Sequence, residues 1–211
     1  MVHPRQLSAD ERRLLTVETV IDLAGQQNPA EITTAAIADK MSVTQGALFR
    51  HFPSKDAIWE AVMQWVADRL LDRIDHAAEA ATSPLNAMRA IFMSHVEFVI
   101  EHPGVPRMLF GELQRGAATR AKKVARMLVG RYAQRLTQRL EEGKAAGEVD
   151  ADADTQAAAM LFIGTIQGLV MQSLLGGNIE QMRVHAPAVL EIFIRGVEQR
   201  PRKRREAETR K

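Results

Sequence analysis

The strongest limit on the fold is a missing pattern, because the 211-residue chain has no run of β-branched residues that alternates apolar with polar positions. Ala, Leu, Met, Glu, Arg and Gln dominate instead, and these residues favour helices. Apolar residues make up 46% of the chain, which is enough to bury a core. The sequence therefore predicts an all-α fold of about nine helices.

Short capping signals indicate where these helices begin and end. The sequence "SADE" at residues 8–11 is a capping box, Ser54 is a good N-cap, and Ser83 precedes a proline at the first helical position. Stretches such as "GQQNPAE", "HPGVP" and "GGN" interrupt the helical periodicity. The predicted helices span about residues 9–26, 34–41, 44–50, 54–78, 84–101, 105–113, 117–143, 152–175 and 184–199.

Composition excludes several kinds of site and compartment. Because the chain has no cysteine, it has no disulfide, thiolate metal site or cysteine nucleophile. The polar start "MVHPRQLSADERR" predicts no signal peptide, so we expect a cytoplasmic protein. The stretch "AAAMLFIGTIQGLVM" is short for a membrane span, and Thr165 and Gln167 interrupt it. We expect it to be a buried helix and expect no membrane partner.

The net charge of +2 is unevenly distributed along the chain. Eight Lys or Arg residues and no acid lie between Leu113 and Leu140, whereas residues 1–55 carry six bases and six acids. Overall charge is therefore no argument for a nucleic-acid partner.

Two basic segments have alternative interpretations. Arg131, Arg135 and Arg139 form one stripe on a predicted helix, which we interpret as a solvated face in preference to a second nucleic-acid site. Segment 200–211 is basic and lacks apolar anchors, so it is predicted to be disordered. It would either attract DNA weakly or act as a solubilising tail.

Two short helices joined by a tight turn, in "TAAIADKMSVTQGALFRHF", form a helix-turn-helix candidate. Apolar residues fall where two crossed helices must touch, with Ile37 and Met41 on the first helix and Leu48 on the second. Phe52 anchors the exit. The turn needs a left-handed backbone, which favours glycine, so Ser42 is expected to cost about 1 kcal/mol there.

The second short helix has an outer face suited to DNA. Thr44 is a good N-cap, and Gln45 and Phe49 share this face because Leu48 points inward. The N-terminal residues of a recognition helix reach base edges, and a glutamine amide suits adenine. Lys55 places a cation at a helix start, a conflict that a bound phosphate would offset. The predicted DNA-contacting residues are Thr33, Thr34, Thr44, Gln45, Gly46, Phe49, Arg50, His51 and Lys55.

The segment "ITTAAIADKMSVTQGALFRHFPSKDAIWEAV" resembles the N-terminal signature of the TetR family of transcriptional regulators. The resemblance implies an all-helical homodimer that binds a palindromic operator on double-stranded DNA, usually as a repressor released by a small-molecule effector. Phe49 stands where the family more often has Tyr, so a hydroxyl contact to phosphate is lost. We expect a helix-turn-helix DNA-binding domain at 1–55, a larger helical ligand-binding and dimerisation domain at 56–199, and the tail at 200–211.

An effector pocket is expected between the helices of the larger domain. Such pockets are mostly apolar with few polar groups, so candidates are aromatic residues, methionines and polar residues that interrupt apolar faces. Each of them is alternatively an ordinary core residue. The predicted ligand-binding residues are Trp65, His95, Phe98, Met108, Phe110, Met127, Tyr132, Met160 and Gln167.

The last two helices are expected to form the dimer interface. Gly164 and Gly168, four residues apart, allow two helices to approach closely, and the final helix is strongly apolar. We interpret this as a four-helix interface with a second copy about a two-fold axis; close packing inside one subunit is the alternative. The predicted interface residues are Gly164, Gly168, Val189, Ile192 and Phe193.

An enzyme is disfavoured because the sequence has no HExxH motif, glycine-rich phosphate loop or GxSxG motif. The acidic repeat "DADAD" lacks the other features of a calcium loop and is better explained as a helix cap. No cofactor or metal is predicted. The alternative function is a helical interaction or scaffold protein that uses the same fold, with DNA binding secondary.

Overall fold

The computed structural model describes residues 8–116 and 118–199. Within these ranges the chain is helical apart from turns and one isolated bridge between Val149 and Glu198, which confirms the predicted all-α fold. The described helices are α1 (Ala9–Gln26), α2 (Thr34–Lys40), α3 (Gln45–Phe49), α4 (Lys55–Glu79), α5 (Pro84–Glu101), α6 (Gly104–Gln114), α7 (Arg120–Ala145), α8 (Thr155–Leu175) and α9 (Met182–Val197). Short 3₁₀ turns at Pro29–Glu31 and Ile179–Gln181 precede α2 and α9. The predicted tail at 200–211 lies outside the described residues.

The predicted caps at the starts of three helices are present. The Ser8 hydroxyl accepts from the Glu11 N–H at 3.2 Å, and the Glu11 carboxylate accepts from the Ser8 N–H at 2.7 Å, which closes the capping box. The Ser54 and Ser83 hydroxyls accept from the N–H groups of Ala57 and Asn86 and so cap α4 and α5. Local sequence therefore determines these helix starts.

Helices α7 and α8 begin later than predicted because their capping residues lie later. The Thr119 hydroxyl accepts from the Lys122 N–H at 3.0 Å. Asp154 accepts from two backbone N–H groups at 3.0 Å each. The predicted starts at about 117 and 152 are therefore wrong.

Helices α4 and α6 connect the first three helices to the rest of the protein. Helix α4 packs against α1 as well as along α5 and α7, while α6 lies on α1. A β-carbon added to Gly104 would stand 2.0 Å from the Ile21 carbonyl oxygen, so only glycine permits this approach of α6 to α1. A movement of either α4 or α6 would therefore be felt by the N-terminal helices.

Helix α8 is not the fully buried helix that its apolar sequence predicts. Phe162 and Ile166 lie in the core, but Met160 and Leu175 are 76% and 81% exposed on the opposite side. By length and composition alone α8 could cross a membrane, although 44% of its most apolar window is buried in the protein. Because α8 is apolar all round, periodicity could not identify which side faces the core. The structure thus leaves an apolar face of α8 uncovered.

Candidate nucleic-acid interface and effector region

Helices α2 and α3 pack as the helix-turn-helix pattern predicts. Ile37, Met41, Leu48 and Phe52 are all buried. Ser42 has φ of 55°, the left-handed conformation that the turn requires. The buried set thus fixes the orientation of α3, and the turn residue carries the expected strain.

The outer face of α3 is exposed. Gln45, Gly46 and Arg50 are exposed, and the Phe49 ring is 42% exposed. Thr44 caps the helix by accepting from the Ala47 N–H at 3.2 Å. This face can approach a groove without rearrangement of the fold.

The threonines at the start of α2 lie beside the same face. Thr33 is the N-cap of α2 and accepts from the Ala36 N–H at 3.1 Å. The side-chain amide of Gln45 lies 3.5 Å from the hydroxyl of Thr34, at the outer limit of a hydrogen bond. Thr33, Thr34 and Gln45 therefore form one polar surface across the two helices.

An unpredicted residue, Arg13, holds the exit of the recognition helix. Its Nη1 donates to the His51 carbonyl at 2.6 Å, and its guanidinium lies 4.4 Å from the centre of the Phe52 ring. His51 is partly buried beside this contact. A basic residue on α1 gives no sequence signal for this role, because its partner is a backbone carbonyl 38 positions away.

Lys55 occupies the first helical position of α4, as predicted, and its ammonium group has two weak partners. Its Nζ is 4.7 Å from the centre of the Trp59 ring and 3.4 Å from the Ala30 carbonyl oxygen. Burial lowers the pKa of Lys55, and nearby Arg115 adds to that effect. Neither partner carries a full negative charge, so an arriving phosphate would be the stronger partner.

In the larger domain, five predicted effector residues lie in or beside the core between α4, α5, α6 and α7. Phe98, Met108 and Tyr132 are buried, while Trp65 and His95 are partly buried. The Trp65 and Phe98 rings stand 6.3 Å apart, but the buried indole Nε1 has no hydrogen-bond partner among the described residues. A ligand carrying a hydrogen-bond acceptor would satisfy that group.

His95 and Tyr132 already satisfy each other. His95 Nδ1 is 3.2 Å from the Tyr132 hydroxyl. Burial lowers the pKa of His95 to about 4 and raises that of Tyr132. Both groups are therefore neutral at pH 7, so this part of the core is polar but carries no charge.

Three predicted effector residues are exposed, which corrects their assignment to an interior pocket. Met127 lies on the outer side of α7, whereas Met160 and Gln167 lie on the outer side of α8. Helix α8 is apolar on both sides, so its pattern does not distinguish inner from outer positions, whereas Met127 is an apolar residue on the largely basic outer side of α7. Phe110, the remaining candidate, is partly buried on α6.

Of the predicted dimer residues, four are accessible on the surface and one, Phe193, is buried. A β-carbon added to Gly164 or Gly168 would meet no described atom within 4 Å, so these glycines do not serve close packing inside one subunit. Val189 and Ile192 line an apolar groove of about 420 Å³ between α8 and α9. Phe193 also touches this groove but is essentially buried, with its ring 5.2 Å from Phe162, so its main contacts are within its own subunit.

Ion pairs account for much of the basic stripe on α7. Arg135 binds Asp75 of α4 through Nε at 2.7 Å, and Arg139 binds Glu142 at 2.7 Å. Arg131 is exposed on the same helix. Two of the three arginines therefore have internal carboxylate partners, which favours a structural role over a second nucleic-acid site.

Comparisons with known proteins match two parts of the chain to family models. Residues 18–62 match the family described as bacterial regulatory proteins, tetR family, and residues 115–189 match the tetracyclin repressor-like C-terminal domain. The nucleoid occlusion factor SlmA of Alteromonas mediterranea is 26% identical over 187 residues, which cover 87% of this chain and 96% of that protein.

Solved structures share the fold at lower identity. The ketosteroid transcriptional regulator KstR2 of Mycobacterium tuberculosis is similar with a TM-score of 0.73 and 20% identity, over 90% of this chain and 96% of that one. The transcriptional regulator FadR of Bacillus subtilis in complex with stearoyl-CoA has a TM-score of 0.75 and 15% identity, over 87% and 98%. Both likenesses extend through the helices that follow the helix-turn-helix.

Proposed function

The chain belongs to the TetR family and is a DNA-binding transcriptional regulator rather than an enzyme, and on that premise we propose that it is a repressor released from a palindromic operator by a small apolar ligand. The observation that carries the DNA-binding half is the exposed face of α3, held by a buried helix-turn-helix core. In this proposal Gln45 reads a base edge, and Gly46 lets the backbone approach the groove. Phe49 contacts sugar or a thymine methyl.

The remaining predicted contacts go to the DNA backbone. Thr33, Thr34 and Thr44 offer hydroxyls and helix-start amides to phosphates, while Arg50, His51 and Lys55 offer cationic or polar side chains. Selection of bound duplexes from a random-sequence pool tests the proposal. Recovery of a palindromic consensus supports it, whereas absence of enrichment over several rounds would refute sequence-specific binding.

The effector is proposed to bind between α4, α5, α6 and α7. Trp65, Phe98 and Met108 supply apolar surface there, and the unpartnered indole N–H of Trp65 favours a ligand that carries an acceptor. The related FadR was solved with stearoyl-CoA, so acyl-CoA thioesters are the first compounds to test. Isothermal titration should give saturable binding that Phe98→Ala weakens. Absence of heat with acyl-CoA and other apolar compounds would refute the effector site.

Dimerisation is proposed through the uncovered apolar side of α8 and α9. Met160, Leu161, Leu175 and Ile192 are exposed there, and Gly164 gives a partner helix close access. A symmetric pair would place two α3 helices about one DNA turn, ~34 Å, apart on an operator. A cytoplasmic location forms part of the same proposal, because the operator lies on the chromosome.

A second candidate is a role on the nucleoid, which the similarity to nucleoid occlusion factor SlmA over 87% of the chain favours. Such a protein would use DNA binding to position itself, in line with the alternative of an interaction protein. Mapping of binding sites on the chromosome separates the candidates. A few sites beside regulated genes favour the repressor, and many sites distributed over the chromosome favour the second role.

A further inference from the structure

A charged cluster beside Lys55 joins the DNA-binding helices to the larger domain. Arg115, directly after α6, donates from Nη1 to Asp56 Oδ1 at 2.9 Å, and the same nitrogen lies 3.4 Å from Glu112 Oε2. Glu112 is 2% exposed, and its other oxygen accepts from Thr119, the cap of α7. One guanidinium therefore links the first turn of α4 to the junction of α6 and α7.

Asp56 is unfavourable for DNA binding unless its charge is offset. Its side chain is 68% exposed and follows directly after Lys55, the proposed phosphate contact. A carboxylate at that distance repels phosphates, because charges interact over about 10 Å at 0.1 M salt. The carboxylate also stabilises the start of α4 through the helix dipole, which is a structural reason for an acid at this position.

We propose that Arg115 neutralises Asp56 and thereby maintains the positive potential at the phosphate contact of Lys55, so that DNA affinity depends on where α6 ends. The inference rests on the proposed function, since it requires that Lys55 faces DNA. Arg115 is then a positioning residue outside the helix-turn-helix. A shift of α6 that withdraws Arg115 would expose the Asp56 charge and weaken DNA binding without any movement of α3.

Because α6 packs closely on α1, a shift of α6 would also act on the N-terminal helices. Gly104, at the start of α6, touches the backbone of Ile21, while Arg115, after its end, touches α4. Helix α6 therefore contacts α1 at its start, and the residue after its end contacts the first turn of α4. Met108, a proposed effector residue, lies on the same helix between these contacts and is fully buried.

Charge-removing substitutions, singly and combined, test the proposal with the full-length protein. Anisotropy of a fluorescent random-sequence duplex would be measured at about 0.1 M salt, where screening is incomplete. Arg115→Ala should weaken binding about three- to tenfold, and Asp56→Asn should strengthen it by a similar factor. The double variant should return to within about twofold of the wild type, and all differences should shrink as salt rises.

A purely structural ion pair, or a loss that does not come from the Asp56 charge, would give a different pattern. If the ion pair merely supports the fold, both single variants and the double variant weaken binding alike, which would overturn the proposal. If the double variant remains as weak as Arg115→Ala, the exposed charge of Asp56 is not the cause of the loss, and the proposal also fails. Misfolding cannot imitate the expected pattern, because Asp56→Asn removes a favourable helix-dipole contact yet should bind more tightly.

Matched controls come from α7 and from Lys55. Arg139→Ala and Glu142→Gln remove the same charges from a pair within one helix, so they should leave DNA affinity within about twofold. Lys55→Ala should weaken binding to all sequences and lower the salt slope by about one. If Lys55→Ala has no effect, the proposed phosphate contact is wrong. If it weakens binding while the Asp56 and Arg115 variants leave binding unchanged, only the inference about Arg115 fails.

Discussion

At the scale of single residues, Gln45 should decide which base is read at one position of the operator. Its amide is exposed on α3 and lies near the Thr34 hydroxyl, which favours one orientation. Gln45→Ala should cost about 1–3 kcal/mol on the selected operator and relax the preference at one base pair. Binding to random duplex should be unchanged, and equal losses on both DNAs would show that Gln45 does not read a base.

A second residue-scale prediction concerns pH. Burial lowers the pKa of His95 from 6.5 to about 4, so between these values the unfolded chain binds a proton that the folded protein does not. The free energy of unfolding should therefore fall as pH decreases from about 6.5 towards 4. The full shift corresponds to about 3 kcal/mol, and we expect about 1–2 because the residue retains some solvent contact.

Denaturant unfolding at a series of pH values checks this prediction. His95→Gln removes the titrating group while keeping a side chain able to hydrogen-bond with Tyr132. The difference in pH dependence between wild type and variant isolates the contribution of His95. Parallel curves would show that the histidine is as readily protonated in the folded protein as in the unfolded chain.

At the scale of elements, the turn between α2 and α3 carries strain that substitution can release. Ser42 has φ of 55°, where a side chain is disfavoured. Ser42→Gly should raise the free energy of unfolding by about 0.5–1 kcal/mol, after allowance for the extra freedom of glycine in the unfolded chain. Ser42→Ala, which keeps the strain, should give no such gain. A loss of stability in Ser42→Gly would contradict this interpretation of the turn.

The elements themselves could be predicted because their signals are local. The capping box at Ser8, the cap at Ser54 and the pattern of Ile37, Met41 and Leu48 depend on residues close in sequence. These local signals predict the starts of α1 and α4 and the helix-turn-helix.

The contacts between elements could not be predicted in the same way. Arg13 binds a carbonyl 38 positions away, and Arg115 binds a carboxylate 59 positions away. No periodicity encodes such pairs. The predicted inward position of Met160 is also wrong, because the apolar residues of α8 continue around its axis, whereas Met127 is an apolar residue on the largely basic outer side of α7.

At the scale of the whole molecule, the uncovered side of α8 and α9 should determine the oligomeric state. Ile192 and Leu175 are exposed in the isolated chain, so a charge at either position can be solvated without damage to the core. Ile192→Glu should convert a dimer to a monomer in sedimentation at micromolar concentration while leaving helical content unchanged. Leu113→Glu, an exposed leucine on α6, is the matched control and should remain dimeric.

The monomeric variant should also separate the affinity of one subunit for a half-site from the gain that comes from binding two half-sites at once. A dimer binds both halves of a palindrome, and the second contact benefits from a high effective concentration. Ile192→Glu should therefore lose most of its affinity for a full operator, yet bind a single half-site as well as the wild-type subunit does. If the variant also lost affinity for the half-site, dimerisation would be needed to organise the recognition helix itself. Retained affinity for the full operator would mean that one subunit suffices, which would contradict the two-fold arrangement on DNA.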